Sequence, residues 1–214
     1  MERSKDLTTV HVHRARDGSQ DSLAWLVARF SPLLHAQATY RLRGALRQVY
    51  DPEDLVADVW ATVLPRLGGL QERANRLTPV MLKFLSTTLL HKANHLIEQH
   101  LARPRQVRAA DAPAISGGDL LDRLPAEVAH ASTVAQRDEA FTVLHAVLAE
   151  LDQKDQEVIV LRGIEQHAND EVAGLLGVTP GAVTRRYQSA LKKLRVRLPG
   201  SILDELPDDD AGPA

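Results

Sequence analysis

Residues 170–198 read DEVAGLLGVTPGAVTRRYQSALKKLRVRL, and this stretch decides the fold: a helix, a tight turn, and a second helix that ends in cationic side chains. Two helices pack steeply across a short turn only where small, apolar or glycine residues stand at set positions. Ala173 is small where the helices cross, Gly177 supplies a left-handed turn residue, and Val178 and Val183 close the space between them. Thr179 is a good N-cap and Pro180 follows at the first helical position, where its missing N–H costs nothing. From there Val183, Tyr187, Ala190 or Leu191, Leu194 and Leu198 recur at three- and four-residue steps, which predicts one buried stripe. Gly181, Ala182, Thr184, Arg185, Gln188 and Ser189 are left facing outward.

Arg185, Arg186, Lys192, Lys193, Arg195 and Arg197 give the second helix six basic side chains, and no acidic residue stands between Pro180 and Pro199. A solvated basic face suited to the dipole at a helix C-terminus uses the same residue types. Joined to the helix-turn-helix spacing, however, a face of one sign points to a phosphate backbone opposite it, and so to DNA binding.

The rest of the chain fits that reading. Its 214 residues suffice for one ordinary domain or two small ones. Leu, Val and Ala dominate the apolar residues, aromatics make up 4%, and strand-like alternation is missing, which predicts an all-α fold. The absence of Cys excludes disulfides and thiolate metal sites. No apolar run approaches a membrane span and the start has no signal-peptide core, so a cytoplasmic protein without a membrane partner is expected. The net charge of −2 hides an asymmetry: Asp204, Glu205, Asp208, Asp209 and Asp210 follow directly on the basic helix.

From the start, residues before about Asp17 read as a frayed lead-in. A helix is expected from about Asp21, with Ser31 and Pro32 restarting it as cap and first-turn residues. Leu33, Leu34, Ala38, Leu42 and Leu46 give the second helix its buried face. DPEDLVADVW, residues 51–60, opens with a cap, a proline and acids where the helix dipole favours them. Leu55, Val56, Val59, Trp60, Val63 and Leu64 form its broad apolar stripe, and Asp54, Ala57, Asp58 and Ala61 its small, acidic outer face. A loop over 68–78 leads to a long helix from Thr78-Pro79 to about Leu101. Phe84, Thr87, Thr88, His91, Lys92, Asn94 and His95 on it carry aromatic, hydroxyl and amide groups suited to unstacked bases.

Prolines and glycines over 103–134 predict a linker, with a short helix near Leu120. The expected division is therefore a helical N-terminal domain over 10–102, the linker 103–134, a C-terminal helix-turn-helix domain over 135–199, and an acidic tail over 200–214, read as a solvated end. In the C-terminal domain Phe141, Leu144, Val147, Leu148 and Leu151 form one helix, and Asp152 starts the next, which Gly163 ends.

Three stretches now resemble one family in its own order: residues 14–44, residues 51–60 and residues 148–198. The family is the bacterial RNA polymerase sigma factors, sigma-70 family, of the extracytoplasmic-function (ECF) type. The resemblance implies a domain 2-like and a domain 4-like helical unit and no chemistry of the protein's own: no catalytic residue, no cofactor, no metal. It implies core RNA polymerase and promoter DNA as partners, and is compatible with an anti-sigma factor. Asp54, Leu55 and Asp58 would hold the polymerase clamp. The loop over 71–78 and the start of the next helix, with Phe84, Lys92 and Asn94, would capture flipped bases of the minus-ten element. Thr184, Arg185 and Gln188 would reach base edges of the minus-thirty-five element, while Arg186, Lys192 and Lys193 would meet phosphates.

The chain departs from the family pattern at several points. Phe84 stands for a common Trp, His91 and His95 for Asn and Asp, Ala57 for a glutamine, His167 for a leucine and Ser189 for an arginine. The basic run after the long helix is thinned to Arg103 and Arg105.

Other readings draw less support from the residues. His91 and His95 lie four apart with Glu98 nearby, but a third strong ligand is missing. There is no glycine-rich phosphate loop and no Ser, His and acid set that can be placed together. The serious rival is a two-domain DNA-binding regulator acting without core polymerase, which would bury the DPEDLVADVW helix against its own copy. An adaptor that has kept the fold but lost promoter melting is a third.

Overall fold

Asp51 and Thr179 show how this chain starts its helices. Each is extended at its own backbone, and its side-chain oxygen accepts from an N–H of the helix's first turn, Glu53 and Ala182 respectively, with a proline following at once. Fixed proline φ and a satisfied N–H together set the first turn without strain. The computed structural model describes residues 7–73, 76–102, 143, 146–148 and 150–206. Among them every regular element is helical, the one strand-like pairing being an isolated bridge between Arg73 and Arg76. The expected linker over 103–134, its short helix near Leu120, Phe141, Leu144 and the tail beyond Leu206 lie outside the described residues.

The N-terminal unit consists of α1 (Leu7–Arg16), α2 (Gln20–Arg41), α3 (Pro52–Val63) and α4 (Thr78–Ala102). Leu26, Phe30, Leu33 and Leu34 of α2, Val56, Val59, Trp60 and Val63 of α3, and Met81, Leu82, Leu85 and Leu89 of α4 make its core. The paired apolar positions of α3 thus serve two neighbours, since α3 packs on both α2 and α4.

Two features here differ from the sequence reading. Residues 7–16, expected as part of a frayed lead-in, form a helix, α1, packed on α2 with Val12 fully buried. Its sequence, LTTVHVHRAR, has no clean apolar stripe, so periodicity does not reveal it. Secondly, α2 runs unbroken through Pro32. Ser31 does not restart the helix as a cap: it is buried, and its hydroxyl accepts from Trp60 Nε1 at 3.0 Å. Burial of Ser31, Pro32, Leu33 and Leu34 in the core outweighs the roughly 3 kcal/mol that a proline costs inside a helix.

The C-terminal unit comprises α5 (Gln153–Val158), α6 (Asn169–Leu176) and α7 (Pro180–Arg197). Gly163 does not end the helix begun by α5. The chain continues as a wider π-type turn over Ile159–Ile164, with Glu165 N–H donating to Val160 O at 2.9 Å. Glycine suits position 163, because a Cβ there would sit 3.3 Å from the Tyr187 ring and the ring would have to give by a few tenths of an ångström.

Beyond α7 the acidic charge pattern suggests a solvated end, yet residues 202–206 fold back. A short 3-10 turn over Ile202–Glu205 buries Ile202, Leu203 and Leu206, and Arg195 donates to the carbonyls of Leu203 (3.0 Å) and Leu206 (2.8 Å).

Candidate nucleic-acid interface

Gly177 ends α6 at φ 64, ψ 37, a left-handed conformation that is free of cost only for glycine. Its N–H and that of Val178 both donate to Ala173 O. This closes the turn and aims α7 across α6. Val183, Tyr187, Ala190, Leu191 and Leu194 are buried, as their spacing predicts, while Leu198 is half-buried. At the start of α6 the Glu171 carboxylate accepts from Ala168 N–H at 3.0 Å. That bond, followed by the one to His167, holds its pKa below the usual value.

The cations of α7 fall into two sets. Arg185 and Lys192 stand exposed, with Gln188 and Ser189 between them, and form the outward row. Arg186 turns inward: it donates to Asp155 at 3.0 Å and lies 3.7 Å from Asp152, bracing α7 against α5. Lys193 lies 3.7 Å from the same Asp155, Arg197 pairs with Glu150 at 3.0 Å, and Arg195 holds the 202–206 turn. Charge pattern alone cannot separate these sets, because both lie on one helix and differ by what α5, Glu150 and the 202–206 turn present to them. Thr184 is half-buried; Asn169 Nδ2 donates to its hydroxyl at 3.0 Å, while Asn169 Oδ1 accepts from Arg162 at 2.7 Å. Asn169 was not among the sequence candidates, though it fixes the rotamer of one.

In the N-terminal unit the candidate clamp face divides likewise. Leu55 is 4% exposed and belongs to the core. Asp54 is half-buried, and that burial, aided by the charge of Asp51, raises its pKa. Asp58 accepts from Lys92 at 2.6 Å, so one candidate for the clamp and one for DNA are paired with each other across α3 and α4. Phe84 is half-buried against the core, and Asn94 is exposed.

The loop ahead of α4 is shaped by α1. Thr9 Oγ1 accepts from Leu77 N–H at 3.0 Å, Arg16 donates to the carbonyls of Leu67 and Leu70, and His13 meets Glu72 at 2.8 Å. These contacts tie Leu67, Leu70, Glu72 and Leu77 to α1.

With this geometry in view, the likeness to known proteins is specific. A family model described as sigma-70, region 4, matches residues 141–194. The chain is 26% identical over 185 residues to the RNA polymerase sigma factor CarQ of Myxococcus xanthus, covering 86% of this chain and 93% of that protein. The chain thus resembles the sigma-70 family of RNA polymerase sigma factors. No solved structure matches it. The region 4 match takes in α5, α6 and α7 as far as Leu194, and stops before the 202–206 turn. No helix among its described residues is long and apolar enough to cross a membrane.

Proposed function

We propose that this chain binds core RNA polymerase and directs promoter-specific transcription initiation, as a sigma factor of the ECF type. The observation that carries the reading is the outward row Arg185, Gln188 and Lys192 on the second helix of a region 4 helix-turn-helix. Such a helix fits the major groove, with its N-terminal half at base edges and later cations at phosphates. Arg185 and Gln188 have the reach and donors to read bases. Thr184, fixed by Asn169, presents its methyl and hydroxyl beside them. Lys192 meets a phosphate, while Arg186 and Lys193 act chiefly within the domain.

In the N-terminal unit, Asp54 and Asp58 with the small residues Ala57 and Ala61 form a shallow acidic face that accepts the polymerase clamp. The 71–78 loop and the α4 face bearing Phe84, Lys92 and Asn94 receive extruded minus-ten bases, whose unstacking of a few kcal/mol must be offset by stacking and polar contacts. Lys92 is released for that role once Asp58 engages the clamp.

The test is a pull-down of purified chain with core polymerase, followed by run-off transcription on genomic fragments. Co-purification and a discrete transcript are expected. Tight promoter binding without core enzyme and without co-purification would replace this reading by that of a stand-alone regulator.

A further inference from the structure

Ala168, the cap residue of α6, has no side-chain oxygen to offer the first turn, and the residue that has one, Asn169, stands one place later. Its side chain has other partners. Asn169 Oδ1 accepts from Arg162 Nε at 2.7 Å, and Asn169 Nδ2 donates to Thr184 Oγ1 at 3.0 Å. Arg162 is buried, with its guanidinium carbon 5.7 Å from the centroid of the fully buried Tyr187 ring, so the inner end of this relay rests on the core of α7 itself. A guanidinium carries N–H donors and no acceptor, so the Asn169 amide can stand only one way round, oxygen to Arg162 and nitrogen to Thr184. The Thr184 oxygen therefore accepts.

The proton of that hydroxyl sets Thr184 apart from other helical threonines. Thr62 and Thr88 donate to the carbonyl four residues back, Asp58 O at 2.9 Å and Phe84 O at 2.8 Å. Among the described residues no acceptor meets the Thr184 proton. Thr184 is half-buried on the same side of α7 as the exposed Arg185 and Gln188, one turn before the latter. Both bonds of the relay run outward from a cation, and each polarises the next. The hydroxyl at its end is made a better donor and a poorer acceptor.

We propose that Asn169 is a positioning residue that sets which base Thr184 reads. Held by Asn169, Thr184 donates its proton to an acceptor on a base edge in the major groove: a purine N7, guanine O6 or thymine O4. It disfavours cytosine on the contacted strand, whose edge offers an amino donor. The inference rests on the sigma-factor reading for placing α7 in the groove, while the order of donors and acceptors from Arg162 to Thr184 stands without it. An unheld threonine hydroxyl serves either class of base, because it both donates and accepts. Selectivity at this position therefore comes from α6, through a side chain that does not itself touch the base.

Asn169→Asp tests this because it is isosteric. The carboxylate still accepts from Arg162 but offers Thr184 no donor, so the Thr184 proton turns inward and the hydroxyl meets the base as an acceptor. Full-length wild type and variants, each alone at low salt and bound to core polymerase, select duplexes from a library with a randomised segment. The wild type should show one position at which cytosine is disfavoured roughly fivefold, as for one hydrogen bond. In Asn169→Asp that preference should vanish or reverse, in Asn169→Ala it should weaken, and in Thr184→Val it should be lost. The position read by Arg185 should keep its preference in all of them. Thermal melting establishes that each variant is folded, and a merely structural loss lowers affinity for all sequences alike without changing the profile. If Asn169→Asp does not fold, Asn169→Ala and Thr184→Val decide. A wild type with no such position, or a wild-type profile in folded Asn169→Asp, Asn169→Ala or Thr184→Val, overturns the proposal. Failure of the wild type to bind core polymerase overturns the sigma-factor reading instead, and the duplexes selected by the chain alone still decide the role of Asn169.

Discussion

Arg186 separates a structural from a DNA-binding reading of the basic helix. Its guanidinium donates to Asp155, whose side chain is 8% exposed, and Arg186→Ala leaves that carboxylate, among the described cations, facing only Lys193 Nζ at 3.7 Å. Breaking a buried pair costs about 3–5 kcal/mol. Because the Arg186 side chain is 34% exposed, water screens part of this, and about 2 kcal/mol is the better expectation. For a domain of this size that lowers the melting temperature by roughly 10 °C. The double variant Arg186→Ala, Asp155→Ala should recover much of the loss, since removing both partners leaves no stranded charge. The measurements are thermal melting by circular dichroism and the salt dependence of DNA binding well below the transition. There Arg186→Ala should keep the wild-type salt slope. A variant that melts like the wild type while its slope falls by about 0.9, the value for one lost phosphate contact, would show that Arg186 faces DNA.

Lys192→Ala is expected to do the opposite, lowering the salt slope by about 0.9 with melting unchanged, and Arg185→Ala should relax promoter selectivity by roughly 1–3 kcal/mol at one base pair, read by run-off on mutated promoters. Charge reversal of Asp54 and Asp58 to Lys should reduce co-purification with core polymerase; unchanged retention would remove the clamp face. Gly177→Ala should destabilise by about 1–2 kcal/mol in urea titration, because its φ is left-handed. His11 is stacked on Trp25 at 3.9 Å, and burial, then the charges of Arg14 and Arg29, hold its pKa below 6.5. Its contribution is therefore whole above pH 6.5 and lost as the pH falls through the lowered value. The urea midpoint should drop over that range in the wild type and less in His11→Gln.

The helix-turn-helix was legible because its signals are local and agree. Thr179, Pro180 and Gly177 each dictate a backbone state within a few residues, and the α7 stripe follows from a period of 3.6. The same rules placed α3 and α4. They misled at Pro32 because a proline reads as a start wherever a hydroxyl precedes it; only the partner of Ser31, Trp60 Nε1 from 29 residues on, shows the hydroxyl occupied elsewhere. They missed α1 because its helix is stabilised by docking on α2 rather than by its own apolar face.

The site was less legible, for a reason that the paired residues make plain. Sequence sorts side chains by type, so Arg185 and Arg186 look alike, as do Asp58 and Glu165. What separates them is the group that the fold sets opposite each: Asp155 claims Arg186 while Arg185 stands exposed, Lys92 claims Asp58, and Arg41 claims the buried Glu165. Each of those partners is 31 or more residues away, beyond any local pattern. A charge consumed inside the chain is unavailable to DNA or polymerase until its partner is replaced. The cations that meet DNA should then be Arg185 and Lys192, while Arg186, held by Asp155, serves within its own domain.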